Sequence, residues 1–112
     1  MEENCIFCKI INKEIPSKIV YEDENVLAFN DINPQAPIHI IVIPKKHMKS
    51  VLEVDEFTIS KIFSAINKIA KEQSIDEKGF RVITNCGKDA GQTVNHLHFH
   101  ILAGKTLGEQ IV

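Results

Sequence analysis

A chain of 112 residues falls in the single-domain range, and at this length one hydrophobic core suffices without covalent staples. With 44% hydrophobic and 25% charged residues the composition is that of a soluble globular protein, and thirteen Lys+Arg against fifteen Asp+Glu leave a net charge of -2, which removes a basic nucleic-acid footprint from the leading ideas. No apolar run approaches the ~20 residues of a membrane span, Met1-Glu2-Glu3-Asn4 lacks the regions of a secretory leader, and an odd count of three cysteines argues against a disulfide framework, so a cytosolic protein with reduced thiols and no membrane partner is expected.

The first predicted element is a short helix or turn over residues 5–13, where Ile6, Phe7, Ile10 and Ile11 make one apolar face. Residues 18–22 and 26–32 are rich in branched and aromatic side chains, and Asp23-Glu24-Asn25 between them is turn chemistry, which predicts a hairpin. Asn33-Pro34-Gln35-Ala36-Pro37 is a loop whose prolines fix their own φ and hold their predecessors extended. Residues 38–43 read as a strand apolar on both faces, hence central, ended by Pro44. The clearest helix spans about residues 55–73, with Ile59, Ile62, Phe63, Ile66, Ile69 and Ala70 in a single stripe and Asp55 as its N-cap. A strand over residues 80–85, a small-residue loop over residues 86–91 and a last strand over residues 96–102 complete the chain. The pattern predicts one domain, residues 1–112, of the α+β class, with a mostly antiparallel five-stranded sheet, one long helix and one short.

The most informative stretch is His96-Leu97-His98-Phe99-His100-Ile101-Leu102. Side chains alternate across a strand, so the three imidazoles share one face while Leu97, Phe99 and Ile101 can enter the core. Neutral imidazoles each offer one donor and one acceptor, so such a row can bind a metal, hold an oxyanion or supply a nucleophile. A solvated face that merely carries three histidines is the bland alternative. It loses weight because Gly87, Gly91, Gln92 and Thr93 precede the row, and glycines let backbone N–H groups approach an anion closely. Cys5 and Cys8 form Cys-x-x-Cys, which by itself stays open between redox pair, metal site and coincidence.

Gly91-Gln92-Thr93-Val94-Asn95 followed by the histidine row resembles the histidine-triad (HIT) signature. Phe7-Cys8-Lys9-Ile10-Ile11, Glu14-Ile15-Pro16-Ser17-Lys18, Ala28-Phe29-Asn30-Asp31-Ile32, Pro34-Gln35-Ala36-Pro37 and Pro44-Lys45-Lys46-His47 extend the resemblance over nearly the whole chain, toward the Hint-like, purine nucleoside phosphoramidase-like branch. The resemblance implies a HIT-like fold and hydrolysis at the α-phosphorus of purine nucleotides or nucleoside phosphoramidates through a nucleotidyl-histidine intermediate, with His98 as nucleophile. It implies that His39 and His100 flank the phosphate, that Asn85, Gln92 and Thr93 contact phosphate or leaving group, and that Asp31 takes the ribose with Ile32 beside it. Ile6, Phe7, Ile10 and Phe29 then wall the base; taken without the resemblance, those four read as core and Asp31 as a turn residue. Some bacterial relatives hold structural zinc with a cysteine pair and two histidines, which here implies Cys5, Cys8, His47 and His96 as zinc ligands. A homodimer is implied as well, joined through residues 55–73 and 80–85. A dinucleoside polyphosphate hydrolase, or a zinc-stabilised nucleotide-binding adaptor with little turnover, are the competing expectations.

Overall fold

The structure, a computed structural model, describes residues 4–112; the acidic start, Met1 to Glu3, lies outside them. Helix α1 (Ile6–Ile11) leads into strands β1 (Ile19–Glu22), β2 (Val26–Asn30) and β3 (Ile38–Pro44), then helix α2 (Glu56–Glu72), strand β4 (Arg81–Ile83), a 3-10 turn (Lys88–Ala90) and strand β5 (Phe99–Ala103). The five strands form one antiparallel sheet in the order β1-β2-β3-β5-β4. The α+β architecture and the central place of β3 agree with the sequence reading. Among the described residues no helix is long and apolar enough to cross a membrane.

Local chemistry explains the elements. Asp23 Oδ1 accepts the N–H groups of Asn25 and Val26 at 2.7 and 2.8 Å, so one carboxylate satisfies the turn that joins β1 to β2. The Asp55 carboxylate accepts the Thr58 N–H at 2.7 Å, an N-cap that satisfies an otherwise orphaned helix donor. Helix α2 lays Ile62, Ala65, Ile66, Ile69 and Ala70 on the sheet, where Val26, Ala28, Ile40, Val42, Phe99 and Ile101 receive them. Phe63 departs from the expected stripe: it is 48% exposed and only its edge meets Phe99, at 5.5 Å between centroids. At the end of β5, Gly104 has φ +94°, and a Cβ there would lie 2.8 Å from Pro37 Cβ, so only glycine lets the chain leave the sheet beside the proline loop.

The opposite sheet face carries α1. Phe7, Cys8, Ile10 and Ile11 are buried against Leu27, Phe29, Ile41 and Ile43, whereas Ile6 is 47% exposed; Cys8 takes the inward position expected of Ile6. Two strands are shorter than the sequence suggests. The ladder of β5 begins at Phe99 and that of β4 spans three residues, because the backbone of residues 96–98 is held from elsewhere: Leu97 N–H donates to Met48 O at 2.7 Å and the Thr84 hydroxyl donates to His98 O at 2.7 Å. The alternation of side chains persists through this segment. Leu97, Phe99 and Ile101 are buried on the α2 side, and the cross-strand pairing of His100 with Ile41 puts His100 on the α1 side.

Candidate active site and metal centre

The first three residues of the histidine row do not make a solvated face. His96 is fully buried and His98 is 6% exposed. The Phe7 ring meets both edge-on, with centroids 5.9 Å from His96 and 5.1 Å from His98, so the short N-terminal helix is seated directly on the site.

Cys5, Cys8, His47 and His96 converge. Cys5 Sγ lies 3.3 Å from His96 Nδ1, Cys8 Sγ lies 3.4 Å from His47 Nδ1 and 3.6 Å from His96 Nδ1, and the two Nδ1 atoms are 3.2 Å apart. Ligands bound at about 2.3 Å (sulfur) and 2.0–2.1 Å (nitrogen) around a tetrahedral ion sit about 3.3–3.8 Å from one another, close to the edges found here. The tautomer agrees. His96 Nε2 is 2.9 Å from Pro44 O; a carbonyl can only accept, so Nε2 carries the proton and Nδ1 keeps its lone pair for a metal. The His96 imidazolium is disfavoured, its pKa falling from 6.5 to about 4, chiefly through burial, with the Pro44 hydrogen bond opposing and the His47 and His98 rings adding to the fall. The donor set thus fits a tetrahedral metal, zinc above all.

A second group, Asp31, His39 and His100, also brings ligand-type atoms together, but its hydrogen bonding argues for a different use. Gln35 N–H donates to His39 Nδ1 at 3.1 Å. That nitrogen must hold a lone pair, so the proton of the neutral ring sits on Nε2. His39 Nε2 is 2.9 Å from His100 Nδ1 and 3.4 Å from Asp31 Oδ2; it donates mainly to His100, and no lone pair is left there for a metal. His100 Nδ1 therefore accepts and His100 Nε2 carries the proton, ready to donate. Asp31 is oriented from its other oxygen, Oδ1, which accepts Asn33 N–H at 2.8 Å. Burial first, then the His98 and His39 rings, lower the His100 pKa from 6.5 to about 4, with Asp31 opposing. His100 is a neutral donor near pH 7.

His98 lies between the two groups. Its Nδ1 is 2.7 Å from His96 O, so Nδ1 carries the proton and Nε2 keeps the lone pair a nucleophile needs. Its ring centroid is 5.2 Å from that of His100. The rings at three alternate positions thus leave different nitrogens free, set by which carbonyl or imidazole meets the other nitrogen of each ring.

Of the other expected residues, Phe7, Ile10 and Phe29 are buried in the α1-side core, while Ile6 at 47% and Ile32 at 90% exposure stand open beside Asp31 and the N-terminal segment. An apolar residue as exposed as Ile32, next in the chain to Asp31, is suited to a flat ligand face. Thr93 is exposed and borders a cavity of about 550 Å³ with Ile6, His47, Lys49 and Asn95. Asn85 Nδ2 donates to Ala90 O at 2.9 Å, and the Gln92 carboxamide is engaged by loop backbone on three sides; both side chains hold loops here. Thr84, the Gln35 N–H and the Pro44 carbonyl were not singled out by sequence reasoning. A lone hydroxyl and two backbone groups leave no pattern in a sequence.

The HIT domain family profile matches residues 12–107, which takes in His39, His47 and the histidine row and leaves Cys5 and Cys8 outside. A purine nucleoside phosphoramidase of Escherichia coli is 44% identical over 114 residues, covering 99% of this chain and 96% of that protein. A HIT-like protein of Rickettsia prowazekii is 49% identical over 108 residues, covering 91% and 88%. Among solved structures, a HIT family hydrolase from Clostridium thermocellum superposes with a TM-score of 0.96 at 52% identity over the whole of both chains. A histidine triad protein from Clostridium difficile gives 0.93 at 57% identity over 99% of each. With its triad row, its antiparallel sheet and these relatives, the chain belongs to the HIT domain family.

Proposed function

We propose that the protein is a hydrolase of purine nucleoside 5'-phosphoramidates that works through a covalent intermediate on His98. The observation that carries this reading is the 2.7 Å contact from His98 Nδ1 to the His96 carbonyl, which leaves Nε2 unprotonated on a ring flanked by a neutral donor. In the first step His98 Nε2 attacks the α-phosphorus and forms a P–N bond as the bond to the leaving nitrogen breaks, and that nitrogen takes a proton from solvent and departs as the amine. In the second step water attacks the nucleotidyl-His98, the P–N bond to the enzyme breaks and returns its electron pair to Nε2, the water's proton passes to solvent, and the nucleoside monophosphate leaves. His100 Nε2–H meets a phosphoryl oxygen as charge builds on it, and His39 holds His100 in the tautomer that can do so. Asp31 takes the ribose hydroxyls, Ile32 and Ile6 flank the base, Phe7, Ile10 and Phe29 back it from the core, and Thr93 faces the leaving group. The E. coli phosphoramidase supports the substrate class.

Cys5, Cys8, His47 and His96 hold a structural zinc ion in this reading, tying α1 to the strand before β5. Bound there, the ion supplies stability by fixing four ligands from distant parts of the chain, and no reaction step runs through it. Thiols kept reduced for such a site suit the cytosol. Two copies pair through α2 and the β4 edge, where Phe57, Phe63 and Phe80 are 61%, 48% and 36% exposed and β4 has an open side, a liability that pairing removes.

The test is turnover of an adenosine 5'-phosphoramidate by wild type and by His98→Ala, with acid-quenched wild-type protein analysed by mass spectrometry. Loss of at least about 1,000-fold in the variant, with a nucleotidyl adduct mapped to His98 in wild type, is expected. Near wild-type turnover by His98→Ala overturns the reading.

A further inference from the structure

The residue before Thr93 is the most heavily engaged side chain in the loops around the site. Gln92 Oε1 accepts Gly87 N–H at 2.9 Å, and Gln92 Nε2 donates to Lys49 O at 2.7 Å and to Val94 O at 2.9 Å. One orientation of the carboxamide satisfies all three: the backbone N–H demands the oxygen, and the two carbonyls demand the NH₂. A carboxamide has two N–H donors, and here both have carbonyl partners. A phosphate oxygen can only accept, so Gln92 has no donor for it unless one of these bonds is broken.

The three partners lie on three segments. Gly87 opens the glycine loop with φ +85°. Lys49 follows His47 by two residues, and Val94 follows Thr93 directly. The same segments are joined again at Leu97 N–H to Met48 O, 2.7 Å, and at Cys86 Sγ to Ser50 Oγ, 3.4 Å. Gln92 is the tie nearest Thr93, whose exposed side chain borders the cavity beside Lys49 and Asn95. We infer that Gln92 is a positioning residue: it clamps the Thr93 loop to the segment that carries His47, and it makes no hydrogen bond to the substrate phosphate. This replaces the phosphate or leaving-group contact that family resemblance implies for Gln92. Its effect on catalysis rests on the phosphoramidase reading, in which Thr93 faces the leaving group; the clamp itself does not.

Two variants separate the clamp from a phosphate ligand. Gln92→Met removes all three bonds. Gln92→Glu keeps the acceptor for Gly87 and removes both donors. In ligand-free protein, amide exchange at Gly87 is expected to speed up at least about 10-fold in Gln92→Met and to stay at the wild-type rate in Gln92→Glu. AMP affinity by calorimetry stays within threefold of wild type in Gln92→Met, where loss of a donor to a charged phosphate oxygen weakens it about 10- to 100-fold. For an alkylamine phosphoramidate kcat falls about 10-fold or more in both variants while KM moves less than threefold, because a misplaced leaving-group contact acts on the chemical step. A 10-fold loss of AMP affinity in Gln92→Met, unchanged Gly87 exchange in Gln92→Met, or unchanged kcat in both variants each overturns the inference. If wild type neither binds AMP nor turns over the phosphoramidate, the functional reading fails by itself, and Gly87 exchange alone decides the clamp. Should Gln92→Met fail to fold, Gln92→Glu decides through kcat and KM.

Discussion

Replacing His39 by leucine removes a ring whose only donor faces another ring. His39 is 6% exposed, and leucine is close to it in volume, so the packing change is small. Three contacts disappear: Gln35 N–H to Nδ1 at 3.1 Å, Nε2–H to His100 Nδ1 at 2.9 Å, and the longer approach to Asp31 Oδ2 at 3.4 Å. Gln35 is exposed and Asp31 is partly exposed, so water reaches both and the fold loses only about 1 kcal/mol. His100 loses the donor that sets its tautomer and orientation. A hydrogen bond of this kind is worth about 1–2 kcal/mol to the transition state, hence about 5- to 30-fold in kcat/KM. Steady-state kinetics on an adenosine phosphoramidate measures the loss. Long-range ¹H–¹⁵N correlation at pH 7 reads the rings directly. Wild type shows the proton on Nε2 for His39, His96 and His100 and on Nδ1 for His98, and the variant shows a mixture at His100. A kcat/KM within twofold of wild type, or a wild-type spectrum with the His39 proton on Nδ1, refutes the orienting role of His39.

Three further outcomes follow from the same geometry. Protein purified without chelator contains about one zinc per chain by elemental analysis, and chelation or Cys5→Ser/Cys8→Ser lowers Tm by at least about 5 °C; sub-stoichiometric zinc with an unchanged Tm in the double variant leaves the cysteines as ordinary core residues. Folding stability depends on His100. Its pKa drops from 6.5 in the unfolded chain to about 4 in the fold, so the unfolded state takes the proton first. The contribution is intact above about pH 6.5, is lost as pH falls toward 4, and is flat below; with partial exposure discounted it amounts to about 1–2 kcal/mol. Urea melts at pH 7, 5.5 and 4.5 show this slope, and His100→Asn reduces it, leaving the share of His96, whose pKa is lowered over the same range. Phe63→Asp, on the exposed side of α2, converts a dimer to a particle of about the 12.6 kDa chain mass in light scattering at micromolar concentration, while a wild type already at that mass sinks the pairing.

The long helix was legible because a stripe of Ile62, Ile66 and Ile69 with an Asp55 cap leaves few other options. The hairpin was legible through Asp23 and the centre of the sheet through the unbroken run Ile40-Ile41-Val42-Ile43. Strand ends were not, since the backbone of residues 96–98 bonds to Met48 and Thr84, partners far away in sequence that no periodicity announces. At α1, Ile6 lies off the apolar face the sequence suggested, and Cys8 is buried with its thiol against His47 and His96. The site's residue types were readable from Cys5-x-x-Cys8 and the His96, His98, His100 row. The resemblance implied different uses for the three rings, but the protonation of each was not readable: it depends on which partner the other nitrogen meets, and the acceptors Pro44 O and His96 O and the donor His39 Nε2–H come together only when the chain is folded. Gln92 shows the same limit, because a carboxamide looks alike in sequence whether it faces a ligand or three backbone groups.

Cys5 and His96 touch across 91 positions, almost the whole polymer. Bringing the ends of a loop that long together costs roughly 4 kcal/mol of chain entropy beyond a constant, and contacts of such range slow folding. Helix α1, at six residues, is far too short to persist alone in water, so it has no local reward for forming early. Closure of the Cys5–His96 contact is therefore expected late in folding, whereas the packing of Phe7 on Phe29 spans only a short stretch of chain. On a ribosome, the first thiols made wait for nearly the last histidines before they meet. Any partly folded form that retains the β2-β3-β5 sheet but has released the N-terminal segment keeps His98, loses the Phe7 ring seated against it, and bares Leu27, Phe29 and Ile43 to water.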